Sequence, residues 1–345
     1  MNLTVVYDVQ HIMPFGPLVI LYLFLAGLSA GLFLLSALGE VWCWKPMRHL
    51  SIPAGIMALA TIIPGGLSLL LDLGQPLRAI HLFLSFSPLS VMSWGSYILL
   101  IYSIIAVVFV WLAWRNDPRK KVWGKAGVVA SLALGMYTGV LIAVAPGHPL
   151  WNSAVIPVLF LVSGLVAALS LINMAQVLQP RHFPVLDANE GGLHSLKVAL
   201  VVLELVLIAV HLVILGLLGS TGSEIVSHLL TGGRQFSFLG IQIVLGTVFP
   251  LFILLFAHAS QLAVGAAGFL SLMGVMALRY NIVVAGQELP VQGVLPHLME
   301  ADRLIWIYMG LLLIMAVLLM HFIPVLMERI CRLPHAGDSD VEEGI

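Results

Sequence analysis

Long apolar stretches separated by short polar loops dominate this chain. Nine of these stretches approach or exceed the roughly 20 residues that a helix needs to cross the hydrocarbon core of a bilayer. They lie near Pro17–Gly39, Leu50–Leu71, Leu89–Trp114, Ala126–Ala145, Ala154–Leu178, Lys197–Leu218, Phe238–Phe256, Gln261–Val283 and Leu304–Met327. The link around residues 258–260 is so short that the seventh and eighth stretches are expected to form a hairpin. The pattern predicts an all-α polytopic membrane protein with about nine transmembrane helices.

Composition agrees with the hydropathy pattern. Of 345 residues, 61% are hydrophobic and only 9% are charged, whereas soluble domains carry about 25% charged residues. Fifteen Lys and Arg residues nearly balance sixteen Asp and Glu residues. The chain therefore has no strong basic field, and we expect it to bind the lipid bilayer but no nucleic acid. Two cysteines are too few for a disulfide framework or a thiolate-ligated cluster.

The distribution of basic residues predicts the orientation, because Lys and Arg prefer cytoplasmic loops. An N-terminus on the outside leaves three basic residues in outer loops and one, Arg279, inside a span. The other eleven then fall on the inner side: Lys45, Arg48, Arg115, Arg119, Lys120, Lys121, Lys125, Arg181, Lys197, Arg329 and Arg332. We therefore expect the N-terminus outside and the C-terminus inside. Trp94, Trp151 and Trp306 are expected at the outer membrane interface.

Three ionisable residues lie within predicted spans, where a charge is costly unless it is paired, neutralised or hydrated. Glu204 and His211 are seven residues apart in the sixth span and so share one helical face. Arg279 lies in the outer half of the eighth span, near Asn281 and Gln287. Two interpretations remain open: Glu204 and His211 carry protons, or Glu204 is a structural partner of Arg279.

A second polar group is predicted at the outer ends of the first four spans. Its members are Tyr22, Asp72, Gln75, Arg78, His81 and Tyr137. Such side chains at one depth could hydrogen-bond a carbonyl of a lipid-soluble ring while apolar walls hold its tail. On their chemistry alone, they could equally be ordinary polar residues at helix ends.

Four ordered segments carry a resemblance to a known family. DLGQPLRAIHLFLSFSPLSVMSWGSYIL, which begins at Asp72, resembles the hallmark of the NrfD/PsrC family of quinone-reactive membrane subunits in polysulfide-reductase-type complexes. YLFLAGLSAG from Tyr22, MYTGVLIAV with IPVLFLVSGL, and LRYNIVVAGQ resemble three further parts of that family. The resemblance assigns residues 1–288 to an eight-helix quinone-reactive domain. Residues 289–327 then add an outer loop and a ninth helix, and 328–345 form a short acidic cytoplasmic tail.

The resemblance implies a function and partners. Such subunits exchange two electrons and two protons with ubiquinone or menaquinone, and they carry no haem, iron–sulfur cluster or metal of their own. They dock a ferredoxin-like iron–sulfur subunit that is usually joined to a molybdopterin catalytic subunit or a multihaem cytochrome. The implied location is the cytoplasmic membrane of a bacterium or archaeon.

The resemblance also implies roles for individual residues. Tyr137, in the YTG run, would hold the quinone ring, and Asp72 or His81 would exchange protons. Tyr22 and Arg78, with His11 and Gln10 just before the first span, would complete the ring site. Apart from the resemblance, the chemistry of the buried ionisable residues suggests that Glu204, His211 and Arg279 form a second, deeper path for protons.

Two alternatives come from other functional classes. A cytochrome b-type anchor would need paired histidines at one depth, but His211 and His321 differ by roughly 12 Å along their helices. A proton-coupled secondary transporter would use Glu204 and Arg279 as transport sites, although the sequence shows no convincing internal repeat.

Overall fold

The structure is a computed structural model that describes residues 15–73, 87–145, 147–178, 192–257, 260–288 and 303–332. All secondary structure within these ranges is helical. The ten helices are α1 Pro17–Glu40, α2 Ser51–Asp72, α3 Val91–Trp114, α4 Lys120–Ala143, α5 Val155–Leu178, α6 Gly192–Gly216, α7 Ser220–Leu230, α8 Phe236–Phe256, α9 Gln261–Glu288 and α10 Arg303–Arg332. The prediction of an all-α polytopic membrane protein is confirmed.

Eight helices within the described ranges, α1 to α6 with α8 and α9, are long and apolar enough to span a membrane. They correspond to the first eight predicted spans. The ninth predicted span coincides with α10, whose described apolar part, Ile307–Phe322, is shorter. Helix α7 was not predicted, because it is a short amphipathic helix whose buried hydrophobic side chains among the described residues are Ile225 and Leu229.

Local sequence explains several helix boundaries. Pro17 occupies the first turn of α1, where its missing N–H costs no hydrogen bond. Ser90 caps α3 by accepting a hydrogen bond from the backbone N–H of Ser93 at 3.3 Å. Gly219 separates α6 from α7 with a φ of 81°, a conformation that glycine adopts without strain.

Helix α1 is the centre of the bundle. It packs against α2, α4, α5, α9 and α10. Every residue of its most apolar 18-residue segment is buried, whereas only 28% of the corresponding segment of α3 is buried. Small residues allow this close packing. A Cβ on Gly31 would lie 2.5 Å from the carbonyl oxygen of Gly164 in α5, so the two backbones touch. The lipid therefore faces the outer helices and not α1.

Helices α5, α6, α8 and α9 form the second half of the molecule. α5 packs against α9 and α6, and α8 packs against α9 and α6. The first part of α8, Phe236–Val248, is wound as a π-helix. Within this part the Thr247 hydroxyl donates to the carbonyl of Gln242, five residues earlier, at 3.0 Å. Wide turns of this kind are frequent at functional sites.

One expectation about an individual residue is wrong. Lys197 was counted among the inner-loop cations, but it lies within α6 and is only 1% exposed. It sits near the start of its helix, where a hydropathy pattern cannot tell a loop-facing side chain from an inward one. Trp151, in the connection between α4 and α5, is buried and donates from Nε1 to the carbonyl of Ile282 at 2.7 Å; its place at the membrane interface stays a prediction.

Candidate functional site

Tyr22 and Tyr137 come together at one end of the bundle. Tyr22 lies on the second turn of α1 and Tyr137 near the end of α4, and these two helices pack against each other. Both side chains are buried, and the two phenol groups are close enough to interact electrostatically. The structure therefore joins the two tyrosines that the sequence had assigned to one ring site.

Gly95 of α3 makes room for Tyr137. A Cβ at position 95 would overlap the ring and hydroxyl of Tyr137. The phenol is thus held between the α3 backbone and α4, with its orientation fixed by packing. A rigidly placed hydroxyl is what a binding or proton-exchange site requires.

Asp72 ends α2 at the same end of the bundle and is exposed. Its Oδ1 lies 3.6 Å from the position of a Cβ on Gly16, the residue before α1. Along α1, Gly16 and Tyr22 are about 9 Å apart at 1.5 Å per residue. Asp72 therefore lies beside the start of α1, six residues before Tyr22 along that helix, at the polar border of the bundle.

The other predicted members of this site fall outside the described residues. They are Gln10, His11, Gln75, Arg78 and His81. Their assignments to the ring site remain predictions. Within the described ranges, Tyr137, Tyr22 and Asp72 make up the candidate site.

A second polar group follows the buried face of α6. Lys197, Glu204 and His211 are each seven residues apart and all three are buried. They therefore lie in one row about 10 Å apart along the helix. With its oxygen turned toward the lysine, the Asn173 amide accepts a hydrogen bond from Lys197 Nζ at 3.0 Å.

Arg279 of α9 is fully buried behind this row. Its Nη2 donates to the carbonyl of Phe160 at 2.9 Å and to the hydroxyl of Ser163 at 2.8 Å. The guanidinium also stacks on the Phe160 ring, 3.7 Å from its centroid. Glu204 interacts with Arg279 electrostatically, but the hydrogen bonds of Arg279 go to α5. The structure thus brings the two predicted ions near each other without a direct ion pair among the described contacts.

His211 lies seven residues after Glu204 on the same face of α6 and is also buried. The backbone of Leu150 approaches its ring. Neither ring nitrogen has a hydrogen-bond partner of normal geometry within the residues that the structure describes.

A third polar group closes the end of the bundle where α8 begins and α9 ends. Arg234 Nη2 pairs with Glu288 Oε1, and Arg234 Nε donates to Glu288 Oε2 at 2.8 Å. Arg234 also donates to the hydroxyl of Tyr280 at 2.9 Å, and His228 lies 3.7 Å from the same carboxylate. The Glu288 hydrogen bond raises the pKa of Arg234, so this guanidinium stays charged at every workable pH.

Sequence reasoning missed Lys197, Arg234 and Glu288 as members of these groups. For Lys197 a signal was present, because the seven-residue spacing from Glu204 puts it on the same face as His211. Arg234 and Glu288 are 54 residues apart, and no periodicity in the sequence relates them.

The two histidines of the haem alternative lie in different parts of the bundle. His211 points from α6 into the interior of the bundle, whereas His321 is exposed on α10. Helix α10 packs against α2 and α1, while α6 packs against α5 and α8. These two residues therefore do not face each other across a common space.

Apolar spans around buried ionisable groups define a multi-span membrane protein with polar sites inside its bundle. The protein belongs to the NrfD family: the model of that family, described as "Polysulphide reductase, NrfD", matches residues 6–291. The family proposed from the four sequence segments is thereby confirmed.

Named relatives match most of this sequence. It is 29% identical to a component of the polysulfide reductase of Wolinella succinogenes, over 77% of this protein and 92% of the relative. It is 25% identical to a component of the selenate reductase of Mesobacillus selenatarsenatis, over 85% and 78%. It is 28% identical to protein NrfD of Escherichia coli, over 77% and 93%. Two of these names describe parts of reductases that act on different substrates.

Proposed function

We propose that this protein is the membrane anchor and quinone-reactive subunit of a respiratory oxidoreductase complex. The observation that carries the proposal is the buried Tyr137 phenol, seated against Gly95 and beside Tyr22 in a member of the NrfD family. A phenol fixed at the end of an apolar bundle can hydrogen-bond the oxygen of a quinone ring whose isoprenoid tail stays among the helices.

The reaction is a balanced exchange of electrons and protons. A quinol gives up two electrons and two protons as it becomes a quinone, and the reverse reaction takes up the same numbers. Tyr137 holds one ring oxygen, and Tyr22 shapes the apolar side of the site. Asp72 is exposed at the same end and exchanges protons with water. Whether ubiquinone or menaquinone is used depends on the organism.

The electron partner is proposed to be another subunit. Two relatives are named as single components of a polysulfide reductase and a selenate reductase, so each of those reductases has more than one subunit. A ferredoxin-like iron–sulfur subunit, with a molybdopterin catalytic subunit or a multihaem cytochrome, suits a protein whose own contribution is a ring site. The complex would lie in the cytoplasmic membrane of a bacterium or archaeon, with the ring site on the outer side.

The row of Lys197, Glu204 and His211, with Arg279 behind it, is proposed to carry protons through the second half of the bundle. Ionisable side chains in a membrane interior commonly mark such paths. Steps of about 10 Å exceed hydrogen-bond reach, so water must connect the row. The same residues would also serve a proton-coupled transporter.

The test of the ring site is Tyr137→Phe in the whole complex, compared with Tyr308→Phe. Tyr308 is exposed on α10 and keeps the same chemical change away from the site. The rate at which membranes reduce the substrate of the complex with electrons from quinol should fall roughly tenfold in Tyr137→Phe, equivalent to about 1.4 kcal/mol in the activation free energy. The same rate should stay unchanged in Tyr308→Phe. Normal kinetics in Tyr137→Phe would remove that residue from the site. Purification of the protein without any electron-carrying subunit, together with transport activity, would favour the transporter.

A further inference from the structure

Helix α3 carries an exposed apolar ridge that ends in a cation. Ile104, Val107 and Trp111 follow one another at intervals of three or four residues, so they share one face of the helix. All three are exposed, Val107 to 55%. Arg115, four residues after Trp111, is exposed as well, and its guanidinium lies over the Trp111 ring, 4.7 Å from the centroid. The ridge therefore faces lipid and has its charge at the end of the span.

Helix α4 repeats this arrangement. Val129, Leu132 and Met136 are exposed on one face, and the exposed Lys125 lies one turn before Val129 on the same face. Since α3 and α4 pack against each other and residues 115–119 join them, Arg115 and Lys125 lie at the same end of this hairpin. Lys125 and Met136 are about 16 Å apart along the helix axis. That length matches about half the thickness of the hydrocarbon core, so the ridge fits one leaflet.

The nearby acidic side chains are already paired with other cations. Glu40 Oε2 lies 2.7 Å from Lys120 Nζ, and Asp117 Oδ2 lies 3.2 Å from Arg119 Nη2. Within the residues that the structure describes, Arg115 and Lys125 have no ion-pair partner. This end of the hairpin therefore keeps uncompensated positive charge, to which the N-terminal end of the α4 dipole adds.

The two ridges together select the chemistry of a ligand. Arg115 and Lys125 call for an anion, and the aliphatic side chains beside them call for apolar chains. Trp side chains are enriched where the membrane meets water, so Trp111 places Arg115 at the depth of lipid headgroups. A phospholipid with a net negative charge meets all of these conditions. A soluble anion would leave the ridges uncovered, and a zwitterionic headgroup would bring a second cation towards the first.

We infer that the α3–α4 hairpin binds two anionic phospholipids, one on each ridge. The phosphate of one lies at Arg115 and that of the other at Lys125, and their acyl chains run along the ridges towards Ile104 and Met136. Trp111 holds the guanidinium of Arg115 in place, so less side-chain freedom is lost when the phosphate binds. The inference requires only that the protein spans a membrane, and it does not depend on the proposed reaction with quinone.

The experiment titrates the delipidated intact complex in detergent with phosphatidylglycerol and counts bound lipids by native mass spectrometry. The double variant Arg115→Gln/Lys125→Gln should bind two of the lipids roughly fivefold more weakly than the wild type, equivalent to about 1 kcal/mol for each cation removed. Each single variant should weaken the binding of one lipid.

The control is Lys45→Gln/Arg48→Gln. It removes two exposed cations from the link between α1 and α2, at the same end of the bundle but on neither ridge. Because the net charge changes equally in the two double variants, a general attraction of the protein for anionic lipid would weaken equally in both. We expect the control to bind phosphatidylglycerol like the wild type.

Two further ligands identify the group that is bound. Phosphatidylcholine with the same acyl chains lacks the net charge and should bind the wild type at least about fivefold more weakly than phosphatidylglycerol. Inorganic phosphate at the same concentration should not displace phosphatidylglycerol. Equal binding of the two lipids, equal weakening in the two double variants, or displacement by inorganic phosphate would each overturn the inference. Lipid counts do not involve quinol turnover, so a complex without that turnover would defeat the proposed function alone.

Discussion

Gly95 of α3 and Tyr137 of α4 touch so closely that no side chain at position 95 could coexist with the present position of the phenol. Gly95→Ala should therefore push Tyr137 out of place without removing any chemical group of the site. Because a displacement of about 1 Å can cost up to roughly 100-fold in rate, we expect quinol-dependent turnover to fall between about 10-fold and 100-fold. Steady-state assays on membranes with equal amounts of complex measure this.

The control for Gly95→Ala is Gly66→Ala in α2, where an added Cβ would meet nothing within 4 Å. Alanine favours a helix by up to about 1 kcal/mol over glycine, so this variant should assemble and turn over normally. Equal activity of the two variants would show that the contact between Gly95 and Tyr137 does not position the phenol.

The contact between α1 and α5 gives a prediction about stability. A Cβ on Gly164 would lie 2.6 Å from the carbonyl oxygen of Gly27, so Gly164→Ala must separate the two helices. Overpacking of this kind costs about 1–3 kcal/mol. The thermal unfolding temperature in detergent should fall, whereas Gly310→Ala, with open space around its Cβ, should leave it unchanged. A Gly164→Ala protein as stable as the wild type would mean that α1 and α5 can move apart at this contact without a cost in stability.

Glu204 tests the proton path. Glu204→Gln keeps the size of the side chain and removes its exchangeable charge, so proton movement in vesicles should fall at least about tenfold. The matched change is Glu224→Gln, on the exposed side of α7, which should behave like the wild type. If both quinol turnover and proton translocation are normal in Glu204→Gln, Glu204 is not part of the proton path.

Lys197 extends that test to the other end of the row. Lys197→Met retains most of the aliphatic stem but removes the ammonium that bonds to Asn173. We expect proton movement to fall while the complex assembles, because Met fills a similar volume and removes the cost of burying a charged group whose bonded partner, Asn173, is neutral. Lys121→Met, at an exposed site in α4, provides the comparison. Proton movement that is equal in the two variants would make Lys197 a structural residue.

The ion pair between Arg234 and Glu288 predicts a loss of stability. Glu288→Gln removes the charge that Arg234 contacts at the bundle end, and hydrogen bonds to charged groups contribute about 1.5–3 kcal/mol. A drop in the unfolding temperature should follow. Asp117→Asn serves as control, because its partner Arg119 is 77% exposed and exposed ion pairs contribute little. A stable Glu288→Gln protein would show that the pair is replaceable.

Sequence reasoning succeeded where one physical rule dominates. Each of the first eight predicted spans corresponds to a helix, because only a helix of this length satisfies its backbone within a bilayer. The pairing of Tyr22 with Tyr137 was also foreseen, since both lie at matching depths near helix ends that face the same side. Because α1 and α4 are neighbours, two residues at the same depth in these helices lie close together.

The failures concern which way a side chain points and which distant residues it meets. The row from Lys197 to His211 was visible as a spacing, but the lysine looked like a loop cation because it stands at a span boundary. The hydrogen bond from Trp151 to the carbonyl of Ile282 joins residues 131 positions apart, and no sequence pattern indicated it. The hydrogen bond between the amides of Asn281 in α9 and Gln242 in α8 depends on helix packing that no local pattern indicates.

The enclosure of α1 has a consequence for how the protein is made. This helix is the first of the described spans to leave the ribosome, yet it contacts α5 and α9, which are synthesised much later. Until those helices arrive, its flanks must be covered by fatty acyl chains, and its lack of charged residues before Glu40 permits this. Assembly therefore replaces lipid with protein around α1, so its final surroundings are established only late in biogenesis.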